Sequence, residues 1–320
     1  MRPERDPAAG LMLELTDPPG HGRLRRVIHE FFQPAAVARL EKRVTEFVDT
    51  ALEVDGRVDV PNQLGGRLAA DVLGLLTGAE PDTLPWLIDR AAHAFEQPDG
   101  TEPALALREL FMYCGRLVRT PKPSNGAPRT IVEALARAPE LGLREVAANC
   151  VNIIAGAATI RNAVNGAVVA LAGQPDRWEQ LAATPALLDA AVDELCRYVS
   201  PALHVARTTV TPTTLAGARL DAGDVVTVWL VSANRDEAMY ARPDDLLLER
   251  SPNPHLAFAT GPHACIGVHL ARSVLRCFVH RLVSQFEPVD AAGAPRYLAS
   301  SFVSSVTNYE ATFDRRRRIS

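Results

Sequence analysis

The most informative segment of the sequence is the decapeptide FATGPHACIG, residues 258–267. Its Cys265 stands between a loop rich in glycine and proline and a predicted helix that begins at Val268. The free N–H groups and the positive dipole end of a helix N-terminus favour a cysteine thiolate over a thiol. A thiolate is the form that ligates iron. The alternative from these residues alone is a buried, inert cysteine, because free cysteines are usually buried.

Three other residues of this segment suit a bound group. Gly261 lets the loop turn tightly, and Gly267 leaves room for a flat ligand against the backbone. His263, two residues before the cysteine, is placed to meet an anionic group.

Composition excludes several classes of protein. The 320 residues are 47% hydrophobic and 22% charged, with a net charge of −4, which excludes a disordered chain, a collagen and a strongly basic nucleic-acid binder. The longest nearly apolar stretch, 146–160, is shorter than the ~20 residues of a membrane span, and the first residues hold no apolar signal core. Five scattered cysteines without a CxxC pair argue against a disulfide framework. We therefore expect a cytoplasmic protein with no membrane or nucleic-acid partner.

The spacing of apolar residues predicts a fold that is mainly α with a small β portion. Threonine, valine and glycine turns over 205–231 predict short strands. The longest helical pattern, 141–171, has almost no charge in its middle and predicts a buried helix. The other segments with helical periodicity are 22–32, 34–52, 64–76, 84–95, 104–118, 185–198 and 268–286.

Several segments together resemble the cytochrome P450 superfamily. Residues 258–267 fit the haem-binding pattern Phe-x-x-Gly-x-His-x-Cys-x-Gly of bacterial members. Glu194 and Arg197 fit Glu-x-x-Arg, a spacing that lets the two side chains pair on one helix face. Each motif alone is weak, but their common order is specific from Asp17 to the C-terminus. The remaining matches are Arg250, the tetrapeptide Ala233-Asn234-Arg235-Asp236 and the segment 17–26.

This resemblance implies a fold, a cofactor and a set of site residues. The fold is that of a cytochrome P450 without its usual N-terminal helices and strands, with a short extension (1–16) before a single haem-thiolate domain (17–320). The implied cofactor is haem b, iron protoporphyrin IX, with Cys265 as the axial ligand. Its other implied contacts are His21, Arg25, Arg207, His263, Gly267 and Phe258, and the implied structural residues are Glu194, Arg197 and Arg250.

The sequence departs from the family in the long helix. Family members carry Ala-Gly-x-Asp/Glu-Thr where this helix crosses the distal face of the haem, and residues 155–159 here read AGAAT. The resemblance thus makes Gly156, Ala158 and Thr159 the catalytic positions, with the acid replaced by Ala158. Alanine cannot transfer a proton. From the residues alone, Gly156 is either a point of close approach or a tolerated glycine. Arg161 and Asn162 either supply another polar path, bind substrate or face solvent.

A second departure concerns length. Family members carry several further helices and strands before the position of Asp17. We therefore expect a distal side that is open, or is covered by a second copy of the chain or by a partner protein.

The expected function is that of a haem-dependent, monooxygenase-like oxidoreductase acting on a small organic molecule in secondary-metabolite biosynthesis. Loss of the acid leaves peroxide-driven chemistry open, as well as isomerisation or cyclisation without net oxidation. The alternative is a degenerate relative that serves another enzyme as a non-catalytic accessory protein. Retention of Cys265 and of the implied propionate partners favours the enzyme.

The resemblance also implies a redox partner. A ferredoxin-type donor would deliver electrons on the cysteine side. The candidate docking residues, which are otherwise ordinary solvated charges, are Arg23, Arg26, Arg272 and Arg276.

Overall fold

The computed structural model describes residues 8–96, 101–119 and 126–317, and over these ranges the chain is mainly helical with small sheets, as predicted. The helices are α1 (Gly20–His29), α2 (Pro34–Ala51), α3 (Arg67–Thr77), α4 (Leu84–Phe95), α5 (Glu102–Arg119), α6 (Ile131–Arg137), α7 (Leu143–Ala172), α8 (Pro175–Ala183), α9 (Leu188–Val199), α10 (Leu230–Ala233) and α11 (Val268–Gln285). The strands are β1 (Gly56–Asp59), β2 (His204–Thr208), β3 (Thr213–Leu215), β4 (Ala218–Leu220), β5 (Val225–Trp229), β6 (Asp290–Ala291), β7 (Arg296–Tyr297), β8 (Val306–Asn308) and β9 (Glu310–Phe313).

Four small antiparallel assemblies make up the β portion. Strands β1, β9 and β6 form a three-stranded sheet in that order, so that β1 pairs with β9, which follows it by about 250 residues. The other pairs are β2 with β5, β3 with β4 and β7 with β8. The sequence predicted short strands over 205–231, where β2 to β5 lie, from threonine, valine and glycine turns, but it did not predict β1 or β6 to β9.

Helix α7 is the centre of the core. It packs against α3, α4, α5 and α9 and is buried along most of its 30 residues. By length and composition it could cross a membrane, but 67% of its most apolar window is buried inside the protein. This is the burial that its uncharged sequence predicts for a core helix.

Helix α7 lies close against α9 at Gly166. A Cβ atom placed on Gly166 would lie 2.3 Å from Val199 Cγ1, so no side chain fits between the two helices at this crossing. At Gly156, ten residues earlier, the same test finds no atom of the described residues within 4 Å. Packing therefore requires glycine at position 166, whereas position 156 meets no neighbour in the described part of the chain.

Residues 8–16 of the predicted N-terminal extension pack onto α7, while residues 1–7 lie outside the described ranges. The backbone N–H of Leu13 donates to Asn149 Oδ1 at 3.0 Å, and Asn149 Nδ2 donates to the carbonyl of Leu11 at 2.8 Å. Met12 and Leu13 are buried in the same core as α7. This stretch is thus continuous with the domain that follows it.

The two glycines of α7 give a matched test of the packing. We expect Gly166→Ala to lower the free energy of unfolding by ~1–3 kcal/mol, because the added methyl group overpacks the crossing. Gly156→Ala should raise it by up to ~1 kcal/mol, because alanine is the better helix former and meets no neighbour. Urea unfolding of both variants measures the difference, and equal stabilities would contradict the close crossing.

Candidate active site

The loop before α11 folds tightly around Cys265. The backbone N–H of Cys265 donates to the carbonyl of Phe258 at 2.8 Å, which closes the loop on itself. Gly261 has φ +76°, as its predicted turn role requires, and Ala259 has φ +53°, a conformation that costs a non-glycine residue roughly 1–2 kcal/mol. Gly267 is the N-cap of α11, and its backbone N–H donates to Cys265 Sγ.

The Cys265 side chain is enclosed and accessible at the same time. The residue is exposed, whereas Cys114, Cys150 and Cys196 are buried. Yet burial raises the pKa of the Cys265 thiol, against the opposing effects of the Gly267 N–H and the Arg25 charge. The residue is therefore exposed to solvent, while the surrounding protein partly desolvates its thiol. Burial and the helix N-terminus act on this thiol in opposite directions.

A cluster of basic side chains lies beside the cysteine loop. The rings of His21 and His263 are 4.4 Å apart, centroid to centroid, and Arg25 Nη1 donates to the carbonyl of Ala264 at 3.1 Å. Burial lowers the pKa of His21, with Arg25 as the next cause. Burial also lowers the pKa of His263, followed by the charges of His21 and Arg207. The structure thus brings the four predicted basic residues together.

This cluster lacks anions to balance it. Neither Arg25 nor Arg207 has a carboxylate within 4.0 Å among the described residues. His21 is 4% exposed and its Nε2 is buried without a hydrogen-bond partner. Only Asp17 Oδ1 comes near the cluster, 3.9 Å from His263 Nε2. A buried polar atom without a partner and two unneutralised guanidinium groups are what a carboxylate ligand would satisfy.

Two predicted cofactor contacts have less distinctive surroundings. The half-buried ring of Phe258 packs beneath the guanidinium of Arg272, 5.2 Å from its centroid. A Cβ on Gly267 would lie 3.9 Å from Cys265 Sγ, an ordinary contact distance, so packing within the protein does not require glycine there.

Behind the loop lies a buried ion cluster. Arg197 donates to both carboxylate oxygens of Glu194 at 2.8 Å, and Arg250 Nε donates to the same carboxylate at 3.0 and 3.1 Å. Glu194 and Arg197 have no exposed surface. The sequence predicted this pair and its third partner correctly.

The ion cluster fixes the coil that leads to Cys265. Arg197 also donates to the carbonyls of Asn234, Pro243 and Asp245. The Asn234 side chain in turn accepts the backbone N–H of Leu256 at 2.7 Å, just before the cysteine loop. Side-chain donors thereby replace the backbone pairing that this coil lacks.

Helix α7 presents an open stripe of small and polar residues, namely Asn152, Ala155, Gly156 and Thr159. Gly156 and Thr159 are its exposed members. Thr159 Oγ1 donates to the carbonyl of Ala155 at 3.3 Å. Two of the three predicted catalytic positions therefore share an accessible face.

Ala158 does not belong to this stripe. It is 3% exposed and packs in the hydrophobic core, although the sequence grouped it with Gly156 and Thr159. One residue of helix advances the direction of a side chain by about 100°, which turns position 158 away from the open face.

Sequence reasoning missed Glu96, which lies at the end of α4. Its carboxylate accepts from Arg161 Nη2 at 2.6 Å and from Asn162 Nδ2 at 2.9 Å. Arg161 and Asn162 thus hold a buried acid from another helix instead of facing solvent. No local sequence pattern identifies Glu96, because its partners Arg161 and Asn162 are far away in the sequence, at separations of 65 and 66 positions.

The predicted docking arginines are largely paired. Arg272 donates to Asp193 at 2.7 Å and Arg276 donates to Asp189 at 2.6 Å. Arg23 pairs with Glu145, which leaves Arg26 as the exposed member without an ion pair among the described residues. Because three of the four arginines are paired with carboxylates, the net positive charge at these positions is smaller than four arginines alone would give.

Taken together, these residues fit an iron porphyrin. Exposed Cys265 offers a thiol that a metal can deprotonate, and the basic cluster offers partners for two carboxylates. The sequence model "Cytochrome P450" matches residues 145–308, and one relative, cytochrome P450 NovI of Streptomyces niveus, is 30% identical over 95% of this chain. The chain belongs to the cytochrome P450 family. It spans 77% of NovI, and it is 29% identical over 94% of its length to linalool 8-monooxygenase of Pseudomonas putida, of which it also spans 77%.

Solved structures show the same P450 fold. The P450 OxyD, involved in the biosynthesis of vancomycin-type antibiotics, superposes with a TM-score of 0.88 at 31% identity, covering 97% of this chain and 81% of OxyD. The P450 CxnD, an enzyme for C–S bond formation in chuangxinmycin biosynthesis, superposes with a TM-score of 0.87 at 27% identity, covering 97% and 82%. Family membership implies a haem cofactor and oxidoreductase activity.

Removal of one member of the buried ion cluster should be costly. We expect Arg197→Met to lower the free energy of unfolding by ~3–5 kcal/mol, because the buried Glu194 carboxylate keeps one arginine, Arg250, in place of two and three carbonyls each lose a donor. Arg276→Met, which breaks an exposed pair, should cost at most ~1 kcal/mol. Chemical denaturation of the two variants compares them, and an equally small effect would show that the cluster is dispensable.

Proposed function

We propose that this P450 is a haem-thiolate monooxygenase that tailors a small organic metabolite, with haem b bound through Cys265. The observation that carries the proposal is the exposed Cys265, next to a basic cluster in which Arg25 and Arg207 have no carboxylate partner among the described residues and His21 Nε2 is buried without a hydrogen bond. When bound, the haem supplies the redox chemistry. The residues described below hold it, shape the space above it and handle protons.

In this proposal the basic cluster anchors the two propionates. Arg25 and Arg207 supply cationic donors, and the buried His21 Nε2 and the His263 ring supply further polar contacts. Charge-assisted hydrogen bonds of this kind are stronger than neutral ones. Phe258 and Gly267 complete the wall on the cysteine side, where the Gly267 N–H tempers the charge on the ligating sulfur.

The open stripe of α7 forms the reaction side. Gly156, with no atom within 4 Å of its Cβ position, lets a flat ligand or substrate approach the helix backbone. Thr159 places a hydroxyl, which can both donate and accept a proton, on the same face. Ala158 marks the position of the missing acid but contributes no chemistry of its own.

The relatives support the proposed substrate class. Linalool 8-monooxygenase acts on linalool by its name, OxyD is involved in the biosynthesis of vancomycin-type antibiotics, and CxnD forms a C–S bond in chuangxinmycin biosynthesis. We place this chain among such tailoring enzymes, as a single-domain cytoplasmic protein that accepts electrons from a ferredoxin-type donor. Arg26 is the docking residue in this scheme, since the other three arginines are paired.

The accessory-protein alternative gains no support. A non-catalytic relative would have no use for an exposed Cys265 or for two neighbouring arginines that lack carboxylate partners among the described residues. Both features are present here, and the relatives named as monooxygenases match most of the chain.

Cysteine replacement tests the axial ligand. We expect the purified protein with hemin to show the red-shifted thiolate-type Soret band after reduction and carbon monoxide, and Cys265→Ser to lose it, because an alcohol does not replace the thiolate ligand. Cys277→Ser is the control, since that half-buried thiol contacts Thr45 on another surface. A colourless wild-type protein, or an unchanged band in Cys265→Ser, would refute the proposal.

A second pair of variants tests the propionate anchor on α1. We expect Arg25→Gln to raise the dissociation constant for hemin by about 10- to 100-fold, the equivalent of one lost charged hydrogen bond. Arg26→Gln, its exposed neighbour, should bind hemin as the wild type does. Absorbance titration of the haem-free proteins gives both constants, and equal losses would point to a general effect of charge.

A further inference from the structure

The described residues bury two carboxylates, Glu194 and Glu96. The fold accounts for Glu194, which braces the coil before the cysteine loop. Glu96 is 5% exposed and has no part in the site as described so far. A buried titratable group is costly to retain, so its surroundings indicate what it does.

Three distant segments of the chain meet at Glu96. It caps the C-terminus of α4, where its backbone N–H donates to the carbonyl of Ala92 at 2.9 Å. Its carboxylate binds Arg161 and Asn162 of α7, and Asn162 Oδ1 accepts from Ser305 Oγ at 2.9 Å. Asn162 and Ser305 are buried, while the Arg161 side chain is 16% exposed. The network therefore runs from the interior toward solvent.

The network meets α7 next to the open stripe. Asn162 follows Thr159 by three residues, a spacing that brings Cβ atoms on a helix to about 5–6 Å. Arg161 follows Ala158 by the same spacing. Glu96, at the end of α4, thus places a carboxylate one turn after Ala158 and Thr159 of α7, where α7 has no acidic residue of its own.

Further buried polar atoms of α7 lie close to this network in sequence. Arg161 Nε and both polar side-chain atoms of Asn165, one turn later on α7, are buried without a hydrogen-bond partner among the described residues. Groups of this kind are the usual sites of buried water. The guanidinium of Arg161 has donors but no acceptor atom, so it holds the carboxylate and does not relay a proton.

We infer that Glu96 is the proton-donating carboxylate for the open stripe of α7, in place of the acid absent at Ala158. The inference rests on the proposed function, because oxygen insertion from dioxygen is what creates the demand for protons. Conversion of R–H and O₂ to R–OH and H₂O consumes two electrons, supplied by the ferredoxin-type donor, and two protons. Each proton leaves a Glu96 carboxyl oxygen for the Thr159 hydroxyl through intervening water, and solvent on the Arg161 side reprotonates the carboxylate.

The test compares two oxidants in Glu96→Gln. The amide keeps the size of the side chain and an acceptor for Asn162, but it cannot donate a proton as an acid. We expect dioxygen-driven product formation to fall by about 100-fold, the usual contribution of a general acid. The peroxide-driven reaction, R–H with H₂O₂ giving R–OH and H₂O, needs no added proton and should be unchanged. An equal loss with both oxidants, or no loss with either, would overturn the inference.

A spectroscopic readout accompanies the rates. The stretching frequency of carbon monoxide bound to the reduced protein reports charge near the open stripe, so we expect it to shift in Glu96→Gln. Glu102→Gln is the matched control, because that carboxylate also pairs with an arginine, Arg90, but is half exposed at the start of α5. It should change neither the frequency nor the ratio of the two rates. An unshifted frequency in Glu96→Gln would place Glu96 outside the reaction side and overturn the inference.

The design also covers a variant that does not fold and a wild-type protein that is inactive. If Glu96→Gln does not fold, Glu96→Asp retains an acid at a greater distance and should give an intermediate loss with dioxygen only; an equal loss with peroxide would again refute the role. If the wild-type protein forms product with neither oxidant, the proposed function fails. If the wild type is active and the ratio of rates is the same in the variants, only the inference about Glu96 fails.

Discussion

The buried contact between Glu194 and Arg197 is the constraint on which the site depends. A bidentate ion pair without exposed surface is expensive to desolvate, and it is retained here with every donor engaged. Its spare donors hold the carbonyls of the irregular coil after α10, and that coil ends in the cysteine loop. The position of the Cys265 sulfur is thus set by charge–carbonyl contacts at a distance, because the coil has little regular backbone pairing of its own.

Local sequence patterns predicted the parts of this protein that are built locally. Apolar spacing alone predicts the long core helix, whereas the cysteine loop and the Glu-x-x-Arg pair are short local motifs that were assigned through the family resemblance. The predicted helix over 141–171 matches α7 within two residues at each end. The fold class followed from the same periodicity.

Contacts between distant segments escaped prediction for a physical reason. Glu96 reaches Arg161 only after α4 and α7 have packed, and nothing in the residues beside Glu96 records that partner. Burial of Ala158 likewise depends on which side of α7 the core occupies. Desolvation of the Cys265 thiol is also a property of the assembled structure, whereas the helix-end effect on that thiol is local.

The crossing of α7 and α9 at Gly166 joins both halves of the site. Helix α7 carries the open stripe, α9 carries the ion pair that positions the sulfur, and Val199 fills the space that a side chain at Gly166 would need. Contact this close prevents either helix from shifting without the other. Evolution toward new substrates therefore has to preserve the α7–α9 crossing. The sequence can change instead in surrounding elements, such as the α4–α5 pair and the hairpin of β7 and β8.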